Sequence, residues 1–249
     1  MRSTIIALAR FGAGLSSLLF SLSSWAAGGV GLALWADAAD STRSVRFEDK
    51  QLQLTTAALG ARVSTKALLL GEVYAGVGAG YAPDRDATFI GRTLTGDASL
   101  TAFELGFQRV VPLPNSDSYQ LAVEGRWLRQ RLEGDFSGQI GDLQATAQMT
   151  STMETADLEL GVFRFSESSR LGLGIGLRDW DVEAQATGQL GESIRARTDA
   201  EFTGTSALFS MTAIFPVFKR AMTLRYEWTE IPAQEKVGIN RLTVRWRVR

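Results

Sequence analysis

The chain reads as an all-β protein: a transmembrane, antiparallel, up-and-down β-barrel of ten strands, with eight or twelve as alternative counts. Three observations predict this. In the last ten residues Leu242, Val244, Trp246 and Val248 fall on one face of an extended strand and Arg241, Thr243, Arg245 and Arg247 on the other. Such dense period-two alternation recurs along most of the 249 residues, as in strands that show lipid one face and a polar lumen the other. The connections between these segments alternate between short and long. Composition agrees, with 25 Gly and only five Pro, a mixture suited to strands joined by permissive turns.

Residues 1–26 read as an export signal, cleaved after Ala26, and 27–249 as the barrel. Arg2 and Arg10 form a basic start, an apolar stretch runs from Phe11 to Trp25, and Ser24-Trp25-Ala26 supplies a small-residue cleavage site. The alternative is a retained anchor, since no charge occurs between Phe11 and Ala36.

Ten strand candidates follow in order. The first, 28–37, alternates Val30, Leu32 and Leu34 with Gly31, Ala33 and Trp35. The second, 51–63, alternates less well. The third, 69–81, sets Val73, Ala75, Val77, Ala79 and Tyr81 opposite Glu72, Tyr74 and three glycines. The fourth, 100–111, opposes Phe103, Leu105 and Phe107 to Glu104, Gly106 and Gln108. In the fifth, 119–132, Tyr119, Leu121, Val123 and Trp127 oppose Gln120, Glu124 and Arg126. The sixth, 153–165, has Leu158, Leu160 and Val162 against Asp157, Glu159 and Gly161. The seventh, 171–182, places Leu171, Leu173, Ile175 and Leu177 against Gly172, Gly174, Gly176 and Arg178. The eighth is 207–215. The ninth, 222–228, sets Met222, Leu224, Tyr226 and Trp228 against Thr223, Arg225 and Glu227. The tenth is the C-terminal segment.

Short connections lie at 64–66, 112–118, 166–169 and 216–220, and long polar ones at 38–50, 82–98, 134–152 and 183–203; a short one at 231–236 departs from the alternation. Counted from a periplasmic N-terminus, the first four short connections all fall on the periplasmic side, as outer-membrane barrels require. Residues 136–142 resemble 186–192, fifty positions later. Both copies then sit at outer tips, where the flanking alternation extends the strands as hairpins.

With this signal, loop asymmetry and the candidate interfacial aromatics Tyr81, Tyr119, Trp127, Trp228 and Trp246, the chain resembles the small outer-membrane β-barrel proteins of Gram-negative bacteria. The resemblance implies location in the outer membrane among lipid and lipopolysaccharide, with delivery by periplasmic chaperones and the barrel-assembly machinery. It also implies a terminal aromatic residue; here Trp246 lies three positions before Arg249, a departure from that pattern.

Functional classes narrow by what is missing. The chain has neither Cys nor His, which removes thiol chemistry, the commonest general base and the commonest transition-metal ligand. No cofactor, metal site or catalytic residue is expected. The family's enzymes, by resemblance, generally need a catalytic His. Asp179-Trp180-Asp181 is the one acidic cluster open to a catalytic or cation-binding reading; the alternative is a solvated strand end beside an aromatic-belt residue. Basic and acidic residues balance at 26 and 27, with no nucleic-acid footprint.

The residues expected to face the lumen are Glu72, Glu104, Glu124, Asp157, Glu159 and Glu227 together with Arg126, Arg178, Arg225, Arg241, Arg245 and Arg247. Three readings fit them. The first is a non-enzymatic structural or narrow-pore barrel whose lumen is filled by Arg–carboxylate pairs, since buried charge is costly unless paired. The second is a small-solute or anion channel with an Arg-rich wall, for which the Gly172, Gly174, Gly176 series leaves room. The third is a soluble periplasmic ligand-binding barrel with its apolar face inside. The sequence does not specify an oligomeric state.

Overall fold

The computed structural model describes residues 30–248, apart from 42–44, 48–49, 53–54, 68–69, 90–91, 115, 117, 167, 192–193 and 233–236. The proposed export signal lies outside the described residues. Twelve strands follow in chain order: β1 (Gly31–Ser41), β2 (Val45–Phe47), β3 (Lys50–Leu52), β4 (Thr55–Ala67), β5 (Gly71–Phe89), β6 (Arg92–Pro112), β7 (Tyr119–Ile140), β8 (Leu143–Phe165), β9 (Arg170–Leu190), β10 (Ile194–Val217), β11 (Arg220–Ile231) and β12 (Val237–Arg247). Ten of them close one antiparallel barrel in the order β1-β12-β11-β10-β9-β8-β7-β6-β5-β4, and β2 and β3 pair as a separate small hairpin. Closure is made by β1, which pairs with β12 on one side and β4 on the other.

The expected ten-strand barrel is the observed one, but three expected long loops are not loops. Residues assigned to 82–98, 134–152 and 183–203 mostly continue the strands, so that β5 to β10 run 19 to 24 residues each. A tilted membrane-crossing strand needs only about 9–11, so about half of each long strand stands outside the bilayer. The expected eighth strand accordingly begins at Ile194 rather than 207, and the expected loop at 38–50 contains the end of β1 and the β2–β3 hairpin.

The outside of the lower half is an apolar belt. Leu171, Leu173, Ile175 and Leu177 on β9, Leu158, Leu160 and Val162 on β8, and Phe209 and Met211 on β10 are all exposed. A closed ring leaves no strand edge in the hydrocarbon, where unpaired backbone groups are prohibitively costly. A closed antiparallel barrel with such a belt is a transmembrane barrel of the outer-membrane type, and this exterior removes the soluble-barrel reading for the lower half.

Above the belt the alternation inverts. On β9 the outward series changes from Leu173, Ile175 and Leu177 to Asp179, Asp181 and Glu183, all exposed, while the inward series changes from Arg178 to Trp180 and Val182, both buried. On β7 the inward Glu124 and Arg126 give way to Leu128, Leu132 and Phe136. On β12, read upward, Thr243 and Arg241 give way to Ile239 and Val237. Where water replaces lipid outside, the hydrophobic effect turns the apolar residues inward. Leu94, Phe136, Ala145, Ala147 and Leu190 pack together near the tips, and Trp180, Val182, Ile231, Val237 and Ile239 pack lower down.

At the opposite end the connections are tight. Phe218 and Lys219, with φ of 50° and 63°, join β10 to β11 as a two-residue turn closed by the Val217–Arg220 pair. Positive φ at both central positions gives the type I′ twist that matches adjacent strands.

Candidate functional site: a charged layer across the barrel interior

Inside the belt, period two sends every second side chain into a space that water barely reaches, and the sequence places charge there. Glu104, Glu124, Arg126, Asp157, Glu159, Arg178 and Glu227 are buried, and Glu227 is 0% exposed. An isolated charge in such a place is prohibitive, so each must find a counter-charge.

The geometry supplies one for each member of the central cluster. Arg126 Nη2 on β7 donates to Asp157 Oδ2 on β8 at 2.6 Å and to Glu227 Oε2 on β11 at 2.8 Å. Arg178 on β9 donates from Nε to Asp157 Oδ1 at 2.7 Å and from Nη2 to Glu227 Oε2 at 2.9 Å. Arg225 on β11 donates from Nη1 to Glu124 Oε2 and from Nη2 to Glu159 Oε2, each at 2.6 Å. Tyr74 Oη on β5 adds a bond to Glu124 at 3.0 Å, and Ser210 Oγ on β10 another to Glu159 at 2.7 Å. β7 and β11 stand four places apart in a ring of ten, so the Arg126–Glu227 and Arg225–Glu124 pairs run across the interior. Planar, multidentate guanidinium groups suit this bridging, because one cation can satisfy two carboxylates at fixed angles.

A second cluster lies by the β1–β12 seam. Arg241 Nε and Thr243 Oγ1 both donate to Asp37 Oδ1, at 2.7 and 2.9 Å. Near the periplasmic rim, Arg247 Nη2 reaches both oxygens of Glu72 at 2.9 Å, more exposed than the others. Arg62 on β4 is buried with its guanidinium carbon 2.9 Å from the centroid of the Tyr74 ring. Arg245 is half-buried.

Strand parity puts these twelve charges on the barrel's inner side, with Glu72 and Arg247 at its mouth rather than in the buried layer. Asp37, Arg62 and Ser210 belong to the interior as well and are not among the residues the sequence pointed to, whereas Tyr74 lies on the inward face read for its strand. Asp37 and Arg62 were legible in principle, since both continue the inward parity of their strands; the weak alternation of 51–63 concealed Arg62.

The inward glycines lie close against neighbouring groups. Side chains occupy the room they leave: Phe163 lies over Gly172, Glu159 and Ser210 crowd Gly174, and the Trp35 indole fills the hollow made by Gly60 and Gly78. Above the charged layer a cavity of about 50 Å³ remains, lined by Leu128, Met153, Trp180, Ile231 and Ile239 over Arg178 and Arg241. Room of that size suits a few waters.

The candidate interfacial aromatics sort differently. Tyr81, Tyr119 and Trp246 are exposed on the outer surface, and Trp127 and Trp228 are half-buried there against Phe103 and Phe209. Trp180 is not a belt residue: it is 2% exposed inside the barrel, and its Nε1 donates to Ser206 Oγ at 2.8 Å. Its neighbours Asp179 and Asp181 point outward into solvent, with Thr205 Oγ1 donating to Asp179 at 2.8 Å. Among the described residues no group of three or more acidic side chains is arranged to hold a metal ion.

No family model and no curated protein sequence matches the chain. Its fold is similar to solved outer-membrane barrels. The outer membrane protease OmpT from Escherichia coli aligns at 10% identity, covering 88% of this chain and 93% of that one, with a TM-score of 0.49. The translocator domain of the autotransporter NalP from Neisseria meningitidis aligns at 10% identity over 97% of each chain, with a TM-score of 0.47. Ail, the attachment invasion locus protein of Yersinia pestis, aligns at 9% identity over 88% of this chain and 97% of that one, with a TM-score of 0.36.

Proposed function

We propose that this chain is a non-enzymatic structural barrel of the outer membrane, sealed to solutes by its own charged layer. The observation that carries the reading is the Arg126–Glu227 bridge at 2.8 Å, joined to Arg178, Arg225 and their carboxylates across the interior. A barrel of about eight strands is just filled by its side chains, and ten strands need the long Arg and Glu side chains used here. The whole chain lacks Cys and His, and the central carboxylates are each engaged by guanidinium groups, which leaves none poised as a base. Outward Arg129 and Arg131, just above the Trp127 girdle, form exposed ion pairs with Glu154 and Glu133 at the level of lipopolysaccharide phosphates, with which those guanidinium groups can exchange partners. Assembly by periplasmic chaperones and the barrel-assembly machinery belongs to the same proposal.

A narrow anion path is the second reading, and one observation favours it. Arg62 Nη1 and Arg245 Nε are buried without a hydrogen-bond partner, so cationic donors remain free on the β4 and β12 side. Solute efflux from proteoliposomes tests the two readings. Retention of both chloride and small sugars supports the sealed barrel; selective chloride loss that falls with Arg62→Gln supports the path.

A further inference from the structure

The periplasmic rim carries its charge unevenly. Arg164 is the last residue but one of β8, Arg170 opens β9, Lys219 lies in the β10–β11 turn and Arg220 opens β11; all four are exposed. These strands are consecutive in the ring, so the two turns stand two strand spacings, about 10 Å, apart. Over 164–170 and 217–220 the sequence sets these four cations against one acid, Glu167, which lies outside the described residues. Farther round the rim, Arg247 is already held by Glu72.

Strand parity aims two of the cations at lipid. Arg164 continues the outward series Leu158, Leu160 and Val162 of β8, and Arg220 continues Leu224 and Met222 of β11. Arg164 lies directly opposite the exposed girdle residue Tyr119. Met222, two residues above Arg220, lies opposite Trp246. Two residues of a tilted strand descend about 5 Å, and each headgroup layer is about 5–7 Å deep. Arg164 and Arg220 therefore stand at the depth of lipid phosphates.

The β10–β11 turn carries a cost that a plain connection avoids. Type I′ turns favour Asn-Gly, because both central residues need positive φ. Here Phe218 and Lys219 occupy those positions, with φ of 50° and 63°, where a bulky residue is strained. Phe218 gains no packing in return, being 90% exposed. Strain without compensating contacts inside the chain points to a use outside it. An aromatic ring beside two cations suits the boundary between acyl chains and phosphates. The same combination recurs at the β8–β9 turn, where the Arg170 guanidinium carbon lies 4.5 Å from the centroid of the Phe165 ring.

We propose that the β8–β11 arc of the periplasmic rim binds anionic phospholipid headgroups, of the phosphatidylglycerol class, in the inner leaflet of the outer membrane. A zwitterionic headgroup brings its own ammonium toward the four cations and forfeits the net attraction, whereas an anionic one keeps it. The site lies outside the barrel wall and is independent of whether the interior is sealed.

The test uses the full mature chain refolded in phosphatidylcholine vesicles, with spin-labelled phosphatidylglycerol or phosphatidylcholine as the probe. The motionally restricted fraction of each label gives its relative association with the barrel. Wild type is expected to favour phosphatidylglycerol about threefold at low salt and to lose the preference in about 1 M salt, which screens charge beyond about 3 Å. The quadruple variant Arg164→Gln, Arg170→Gln, Lys219→Gln and Arg220→Gln, checked for folding by heat-modifiable migration, brings the ratio to about one. Arg195→Gln with Arg197→Gln, far above the membrane, leaves it at the wild-type value. Phe218→Asn with Lys219→Gly relaxes the turn and lowers the preference while the barrel stays folded. Equal association of the two lipids with wild type, a preference that survives high salt, or one retained by the folded quadruple variant overturns the proposal. So does a loss in the Arg195 and Arg197 variant as complete as in the quadruple one.

Discussion

Arg126 and Glu227, 101 positions apart in sequence and on strands four places apart around the barrel, meet at 2.8 Å in a layer closed to water. Glu227 is the hub of that layer, receiving Arg126, Arg178 and Arg225 within 2.9 Å. Three cations converge on a single carboxylate there, and the same three guanidinium groups also reach Asp157, Glu124 and Glu159.

Removing the hub leaves buried guanidinium groups facing one another. Glu227→Ala is expected to destabilise the folded barrel by about 3–5 kcal/mol, the range for breaking one partner of a buried pair. Urea unfolding from lipid vesicles measures it. Glu72→Ala, at the exposed mouth, shifts the same midpoint by a small fraction of that amount.

The belt predicts a depth-dependent penalty for outward charge. Leu173, 65% exposed on β9, lies in the hydrocarbon, so Leu173→Arg costs about 2–4 kcal/mol of membrane stability. Thr203 is exposed on the paired strand above the belt, and Thr203→Arg leaves the folded yield in vesicles unchanged. Equal yields from the two variants contradict the placement of the belt.

Inversion of the alternation predicts the opposite pattern in the extension. Val182 is 7% exposed inside while Asp181 faces water. Val182→Asp buries an unpaired carboxylate next to Trp180, Ile231 and Ile239 and opens the upper hairpins to protease. Asp181→Val leaves the cleavage pattern as it is.

The same inversion explains which parts of the fold could be read from sequence. Within the bilayer the strands carry apolar residues outward and polar ones inward, charged on β7, β8, β9, β11 and β12, so period and parity together point to those positions. Above the bilayer the period persists, but its sense reverses at Arg178–Trp180 and again at Arg126–Leu128. Segments such as 183–203, with Glu183, Arg195, Arg197 and Glu201 outward, therefore look like polar loops to a reader expecting apolar exteriors. Trp180 was misplaced in the interfacial belt for that reason. The pairing itself was not legible: parity puts Arg126 and Glu227 in one interior, but only closure of the ring sets β7 against β11.

The central claim is that this layer seals the barrel, and single-channel conductance of the refolded chain in planar bilayers tests it most directly. Wild type is expected to insert and remain silent, whereas the double variant Arg126→Ala with Glu227→Ala, which removes the crossing bridge as a neutral pair, shows discrete steps. Steady ion-selective conductance by the wild-type barrel would contradict the account, and would place the conducting path along the unpaired donors of Arg62 and Arg245.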